Sequence, residues 1–200
     1  MRLYATAISP FVRKVRIFAY ERGVHDLLEI HTTQVSPVTP GLSLSHRNPL
    51  QKVPTLELAS GAVLYDSRVI VQALDAANDG PRLLPAEGDA RWDALRLEAL
   101  ADGVADAAVL VRYEATLRPE AFRWEDWRVG QLAKVVQGLR ALDAEVDRWG
   151  DHFGWGQIAA AAAVGYVDYR DISSLDEHPR LLRWWQGLAQ RASIALTRPA

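Results

Sequence analysis

The chain of 200 residues contains no cysteine. That excludes disulfides, thiolate metal sites and a cysteine nucleophile, so any thiol chemistry has to arrive with a ligand. Its five histidines show no paired ligand spacing, and no metal site is expected. A charge excess of either sign is also lacking. The 23 Lys and Arg against 25 Asp and Glu leave a formal net charge of −2, which gives no basic field for nucleic acid. The apolar stretch Ala159–Val167 is too short to span a bilayer and ends at Asp168. The N-terminus reads as strand from Arg2, without a charged-then-apolar signal segment. These absences together lead to the expectation of a soluble cytoplasmic protein with neither a membrane nor a nucleic-acid partner.

What is present suffices for a core: 49% of the residues are hydrophobic and 24% charged, and the length allows one large or two small domains. Arg2–Ala5 predicts a short strand. Ser9-Pro10 then opens a helix, with serine at the N-cap and proline at the first helical position. Phe11, Val12, Val15, Phe18 and Ala19 recur at helical spacing and are expected in the core, with Arg13, Lys14, Arg16 and Arg22 mostly on the other face and Gly23 as the stop. A second strand at Leu28–Thr32 completes a strand–helix–strand unit, which requires a parallel pair. The Pro-, Ser- and Gly-rich segment from Ser36 to Pro49 predicts a short helix at most.

The most informative stretch is Asn48–Ile70. Val53 precedes a proline and is pushed toward extended backbone. Thr55–Leu58 and Ala62–Tyr65 read as strands joined through a Ser60-Gly61 turn. Asp66-Ser67 precedes an apolar-periodic run, so one of the two caps a helix from Ser67 to about Ala77. This arrangement offers a ligand the free backbone groups of Val53 for an extended peptide. It also offers a carboxylate, a hydroxyl and helix N–H groups at Asp66-Ser67 for an amino-acid zwitterion. After a linker from Asn78 to Pro85, the pattern is helical throughout. Helices are expected at Arg91–Leu117 (stripe through Trp92, Leu95, Leu100, Val104 and Ala108) and Trp124–Trp149 (Val129 to Val146). A buried one follows at Gln157–Tyr169, in which alanines and Gly165 allow close approach, and a last one starts at Pro179, with Leu182, Trp185 and Leu188 in register.

Lys52-Val53-Pro54, followed one hairpin later by Asp66-Ser67-Arg68, resembles the glutathione site of the cytosolic glutathione S-transferases. Ser9-Pro10-Phe11-Val12-Arg13-Lys14 near the start, and His178-Pro179-Arg180-Leu181 with Trp184 near the end, fit the same family. The resemblance thus covers nearly the whole chain, and it is closest to bacterial members with serine in the SPF-type motif. It implies an α+β protein with a thioredoxin-like four-stranded sheet domain over 1–78 and an all-helical domain over 86–200, assembled as a homodimer. The activity implied is that of a glutathione S-transferase, with glutathione as co-substrate attacking a small apolar electrophile. The alternative is a glutathione-binding protein with little transferase activity, and a weaker third reading is a structural interaction module.

Each candidate site residue has a plain structural reading beside the one the resemblance implies. Ser9 is an N-cap, or it donates a hydrogen bond to a bound thiolate at the helix start. Phe11 is a core residue, or it contacts the ligand. Lys52 is a solvated lysine, or it reaches the glycyl carboxylate of glutathione. Pro54 is an ordinary proline by base rate; the resemblance implies a cis bond that turns the Val53 backbone toward the peptide. Asp66 and Ser67 are caps, and they also suit the γ-glutamyl ammonium and carboxylate. Asp102 and Asp106, one helical turn apart, read as a solvated face, while the resemblance gives Asp102 a contact with the ammonium, in some relatives across a dimer interface. Three departures from the family pattern stand out: Gln51 where glycine is expected, the shorter Asp66 where many relatives carry glutamate, and Gly154 with Gln157 where Ser/Thr-x-x-Asp usually starts the buried helix.

Overall fold

The computed structural model describes residues 1–39 and 42–199. Pro40 and Gly41, within the Pro- and Ser-rich segment, lie outside them, as does Ala200. The chain divides into two compact units, Met1–Ala86 with Ala192–Ala200, and Glu87–Arg191. The first holds β1 (Arg2–Ala5), α1 (Pro10–Glu21), β2 (Glu29–Thr32), α2 (Leu42–Ser45), β3 (Thr55–Glu57), β4 (Val63–Leu64) and α3 (Ser67–Asp75). The second holds α4 (Gly88–Thr116), α5 (Glu125–Glu145), α6 (Trp155–Tyr169) and α7 (Pro179–Gly187). A last turn of helix, α8 (Ala192–Ala195), returns to the first unit and packs on α1.

The four strands lie in the order β2-β1-β3-β4. β1 and β2 are parallel, as a crossover through α1 requires, and the other two pairs are antiparallel. Residues alternate between the faces of the sheet. Leu3, Ala5 and Leu56 are buried together with Val12, Val15, Phe18, Ile70 and Leu74 of α1 and α3. Arg2, Tyr4, Thr55 and Glu57 fall on the alternate positions and point to the other face. β2 is an edge strand with all four residues exposed.

Helix α1 stops where expected. Gly23 has φ +68°, and the N–H groups of Gly23 and Val24 close back on the carbonyls of Tyr20 and Ala19. Its polar residues differ from expectation, because Arg13, Lys14 and Arg22 are all buried. The reason is that α1 is covered on more than its sheet side. Arg13 donates to the carbonyl of Ile194 in α8. Arg22 pairs with Asp75 at 3.1 Å and also donates to the carbonyls of Asp75, Asn78 and Gly80, which ties the end of α3 to α1. A guanidinium has enough fixed donors to satisfy several buried carbonyls at once, which makes such burial tolerable.

In the second unit α6 is buried at every residue from Trp155 to Val167, as its composition predicts. Close approach occurs at Gly156, where a Cβ would lie 2.7 Å from Leu97 of α4. Gln157 at the third helical position accepts from the Gly154 N–H at 3.2 Å, so half of the expected capping exchange survives without a serine. The expected stripes of α4 and α5 hold in their later parts, where Val104 and Ala108, and Leu139, Leu142 and Val146, are buried, but not at their starts. Leu97, Ala101, Val104, Ala105, Ala108 and Val111 are buried in α4, whereas Trp92 is exposed. In α5 only the second half is core, through Val135, Leu139 and Leu142, and Val129 is exposed. A 3-10 turn, Val146–Trp149, finishes the segment. In α7 the fully buried residue is Leu181, one position from the expected stripe. Among the described residues no helix is long and apolar enough to cross a membrane.

Candidate functional site

Strand register brings distant parts of the first unit to one end of the sheet. Tyr4 pairs with Thr55, the first residue of β3, and the strands are antiparallel, so the exit of β1 and the entry to β3 through Val53-Pro54 share one end of the sheet. Leu56 pairs with Leu64, the last residue of β4, and the strands are antiparallel, so the chain leaving β4 toward Asp66 emerges at the end where β3 begins. The loop into α1, the entry to β3 and the turn into α3 therefore share this end.

Ser9 is the N-cap of α1. Its backbone is extended (φ −77°, ψ 127°), and its Oγ accepts from the Val12 N–H at 3.3 Å. It is half-buried. A hydroxyl that accepts one bond still has a proton to donate, and here it stands at the positive end of a helix dipole. Phe11, expected in the core, is only half-buried, while its neighbours Pro10 and Val12 are buried.

The segment ahead of β3 is built around a residue that the motif reading passed over. Asn48, 1% exposed, donates through Nδ2 to the Lys52 carbonyl and to Thr55 Oγ1, both at 3.0 Å, and accepts from the Leu50 N–H at 2.9 Å. Thr55 Oγ1 donates to the same Lys52 carbonyl at 2.8 Å. The Asn48-Pro49 dipeptide, a common turn opener, was the available signal. Gln51 adopts φ +53°, the left-handed region that favours glycine, which explains why a glycine is expected at this place. Lys52 is exposed, and the Val53–Pro54 bond is cis. Neither the N–H nor the C=O of Val53 has a hydrogen-bond partner among the described residues.

At the turn into α3 the two capping candidates separate. Asp66 is the N-cap, and its Oδ1 accepts from the Arg68 N–H at 3.0 Å. Ser67 is the first helical residue and is buried. Its hydroxyl has no hydrogen-bond partner among the described residues. Two helix N-termini and one unpaired stretch of extended backbone thus gather at one sheet end, which suits an anionic, peptide-like ligand.

Asp102 belongs to the second unit. It is 3% exposed on α4, so it does not lie on a solvated face, whereas Asp106 is exposed. The period of the helix explains the split, because Asp102 sits next to the buried Ala101 and shares the side of α4 that holds Glu98 and Ala105. No group of three or more His, Asp or Glu able to hold a metal occurs among the described residues.

Residues 3–82 match the glutathione S-transferase N-terminal domain, and residues 113–186 match the glutathione S-transferase C-terminal domain. An Escherichia coli K12 protein described as the uncharacterized GST-like protein YibF is 32% identical over 204 residues, covering 100% of this chain and 98% of that protein. A glutathione transferase family member from Pseudomonas fluorescens Pf-5, solved with bound glutathione, is 43% identical with a TM-score of 0.96, over 100% of this chain and 98% of the other. A glutathione S-transferase from Methylobacillus flagellatus KT, also solved with glutathione, is 34% identical with a TM-score of 0.87, over 100% and 99% of the two chains. With both domains matched in order and relatives aligned over the full length, the chain belongs to the glutathione S-transferase family.

Proposed function

We propose that the protein is a serine-type glutathione transferase, which binds glutathione at the sheet end described above and promotes attack of its thiolate on a small apolar electrophile. The observation that carries this reading is the gathering, by strand register, of the α1 N-terminus, the unpaired Val53 backbone and the α3 N-terminus. In this reading the cysteinyl backbone of glutathione pairs with Val53, an edge interaction that needs no side chain. The γ-glutamyl carboxylate meets the Ser67 hydroxyl and the first N–H groups of α3, and the ammonium meets Asp66. Lys52 faces the glycyl carboxylate. Ser9 donates to the sulfur. The thiol proton passes to solvent, the sulfur lone pair forms the new S–C bond, and a displaced group leaves with its bonding electrons. The protein supplies orientation and stabilisation of the anion. That two of the relatives above were solved with bound glutathione supports glutathione as the ligand. The reading extends to a homodimer working in detoxification in the cytoplasm.

Calorimetric titration with reduced glutathione, followed by turnover with a panel of electrophiles, tests the proposal. Saturable binding and conjugation are expected. Binding without turnover on any electrophile would leave a glutathione-binding protein. Absence of binding would overturn the reading altogether.

A further inference from the structure

The face of the sheet opposite α1 and α3 carries a polar assembly that the proposed chemistry does not use. Glu57 of β3 accepts from the Tyr4 hydroxyl and from Arg47 Nε, each at 2.8 Å and both at Oε2. The Arg47 guanidinium lies 5.0 Å from the centroid of the Tyr4 ring, so it is held by a charge-assisted bond and by an aromatic face together. Tyr4 is 4% exposed and meets the His31 ring edge-on at 5.0 Å. Arg2 lies between the acids of two neighbouring strands, 3.6 Å from Glu29 and paired in register with Glu57.

Arg47 is the residue immediately before Asn48. Thr55 and Glu57 are two apart on β3 and share one face. The strand therefore grips the incoming chain at two successive residues, Asn48 through Thr55 and Arg47 through Glu57. The segment so gripped, Asn48–Val53, has no regular secondary structure, bends through the left-handed Gln51 and ends at the unpaired Val53 backbone. The Asn48 bonds fix the internal shape of that segment. The Asn48–Thr55 bond ties the segment to β3 at one point, and the Arg47–Glu57 pair adds a second anchor two residues along the same strand.

We propose that Arg47 and Glu57, seated on Tyr4, form a latch that positions the Asn48–Val53 segment and so sets the affinity for glutathione. The proposal rests on the glutathione reading of the Val53 edge. Arg47 and Glu57 are positioning residues, acting through Val53 without touching the ligand. Loss of the latch therefore weakens binding of the tripeptide while leaving the chemistry at sulfur nearly intact.

The test compares the unsubstituted protein with Arg47→Ala, Arg47→Lys and Glu57→Gln, by calorimetric titration with glutathione and by steady-state rates under saturating electrophile. Asp143→Asn serves as a control for plain destabilisation in the second unit. Arg47→Ala is expected to raise Kd and KM for glutathione about tenfold with kcat within about twofold. Arg47→Lys keeps the charge but loses the planar contact with Tyr4, and Glu57→Gln keeps an acceptor, so both should fall between. The Asp143→Asn control should lower the melting temperature with KM unchanged. Unaltered glutathione affinity in folded Arg47→Lys and Glu57→Gln overturns the latch alone. So does a fall in kcat with unchanged KM. No binding by the unsubstituted protein overturns the glutathione reading and the latch with it.

Discussion

The Ser9 hydroxyl accepts from the Val12 N–H, its one hydrogen bond among the described residues, and that leaves its proton unspent. A free thiol titrates near 8.5 and is mostly protonated at neutral pH. A hydrogen bond to a charged partner contributes roughly 1.5–3 kcal/mol, equivalent to about one to two pKa units. Ser9→Ala is therefore expected to raise the pKa of the bound thiol and slow turnover by about ten- to a hundredfold near neutrality. Glutathione affinity should change less, because Val53, Asp66 and Ser67 remain. Thiolate absorbance of the complex against pH, with rates on one accepted electrophile, measures both. An unchanged titration curve and rate would reduce Ser9 to its cap. Gln51 poses the opposite case, a residue that fits its place poorly. Holding an L-residue in the left-handed region costs about 1–2 kcal/mol, while a glycine adds about 0.5–1 kcal/mol of unfolded-chain entropy. Its Oε1 is also buried with no hydrogen-bond partner among the described residues. Gln51→Gly should then raise the melting temperature by about 1–4 °C. A lower melting temperature would mean that the Gln51 side chain makes a contact worth more than the backbone relief.

Among elements, α7 shows how one helix depends on another. His178 stands at its N-cap but makes no side-chain capping bond. Asp143 of α5 does this work instead: its Oδ1 accepts from the N–H groups of both Arg180 and Leu181 at 2.9 Å, and its Oδ2 pairs with the Arg180 guanidinium. Burial pushes the Asp143 carboxyl up, but the bonds from Leu181 and Arg180 outweigh it and hold the group below the usual carboxylate range. A carboxylate with a lowered folded value stabilises the protein fully above its unfolded value and loses that contribution as pH falls through the folded one. Asp143→Ala removes the acceptor of two helix N–H groups and is expected to cost about 2–3 kcal/mol, lowering the melting temperature by about 4–12 °C at neutral pH. The deficit relative to the unsubstituted protein should shrink in acid, below the ordinary carboxylate range. A deficit that is constant with pH would show that packing around α7, not the charge, carries the effect.

The helices and strands were legible where a local rule decides them, and less so where a partner element does. The Ser9-Pro10 start, the Gly23 stop and the nearly all-apolar, buried α6 follow from capping chemistry and composition, and all three stand. The stripes of α4 and α5 hold at Val104, Ala108, Leu139, Leu142 and Val146, but Trp92, Val129 and Leu182 are equally periodic and lie outside the core, because where a helix meets a neighbour depends on packing, which adds Leu97, Val135 and Leu181 instead. The charged residues of α1 were misjudged for the same reason. Helical period could place them away from the apolar stripe, but could not show that α8 and the end of α3 return to cover them. At the candidate site, motif spacing picked out Ser9, Val53, Pro54, Asp66 and Ser67. It passed over Asn48, whose bonds are local and whose one signal is the Asn-Pro turn, and Arg47 and Glu57, whose pairing over Tyr4 depends on the register of β3.

For the whole molecule, the proposed homodimer has a physical motive in the second unit. Phe122 is 72% exposed and Trp124 64% exposed, with Leu117 and Val129 also open between the end of α4 and the first turns of α5. Single exposed apolar residues are ordinary, but two large aromatics exposed within three residues of one connection are the kind of side chain that partners cover. Trp92, 66% exposed near the start of α4, adds a separate anchor. Asp102 plays no part in this argument, since at 3% exposure it offers a second copy almost no surface. Sedimentation at micromolar concentration should give a species of twice 22.2 kDa, converting toward the monomer on dilution if the interface is of ordinary size, burying about 1,600 Å² in total. Replacing Trp92 or Trp124 by a charged residue separates the two surfaces. The variant that shifts the equilibrium toward monomer, while keeping its circular dichroism, identifies the covered one. A 22.2 kDa species from the unsubstituted protein at every concentration tested would overturn the dimer, and the glutathione chemistry proposed for the first unit would then be that of a single chain.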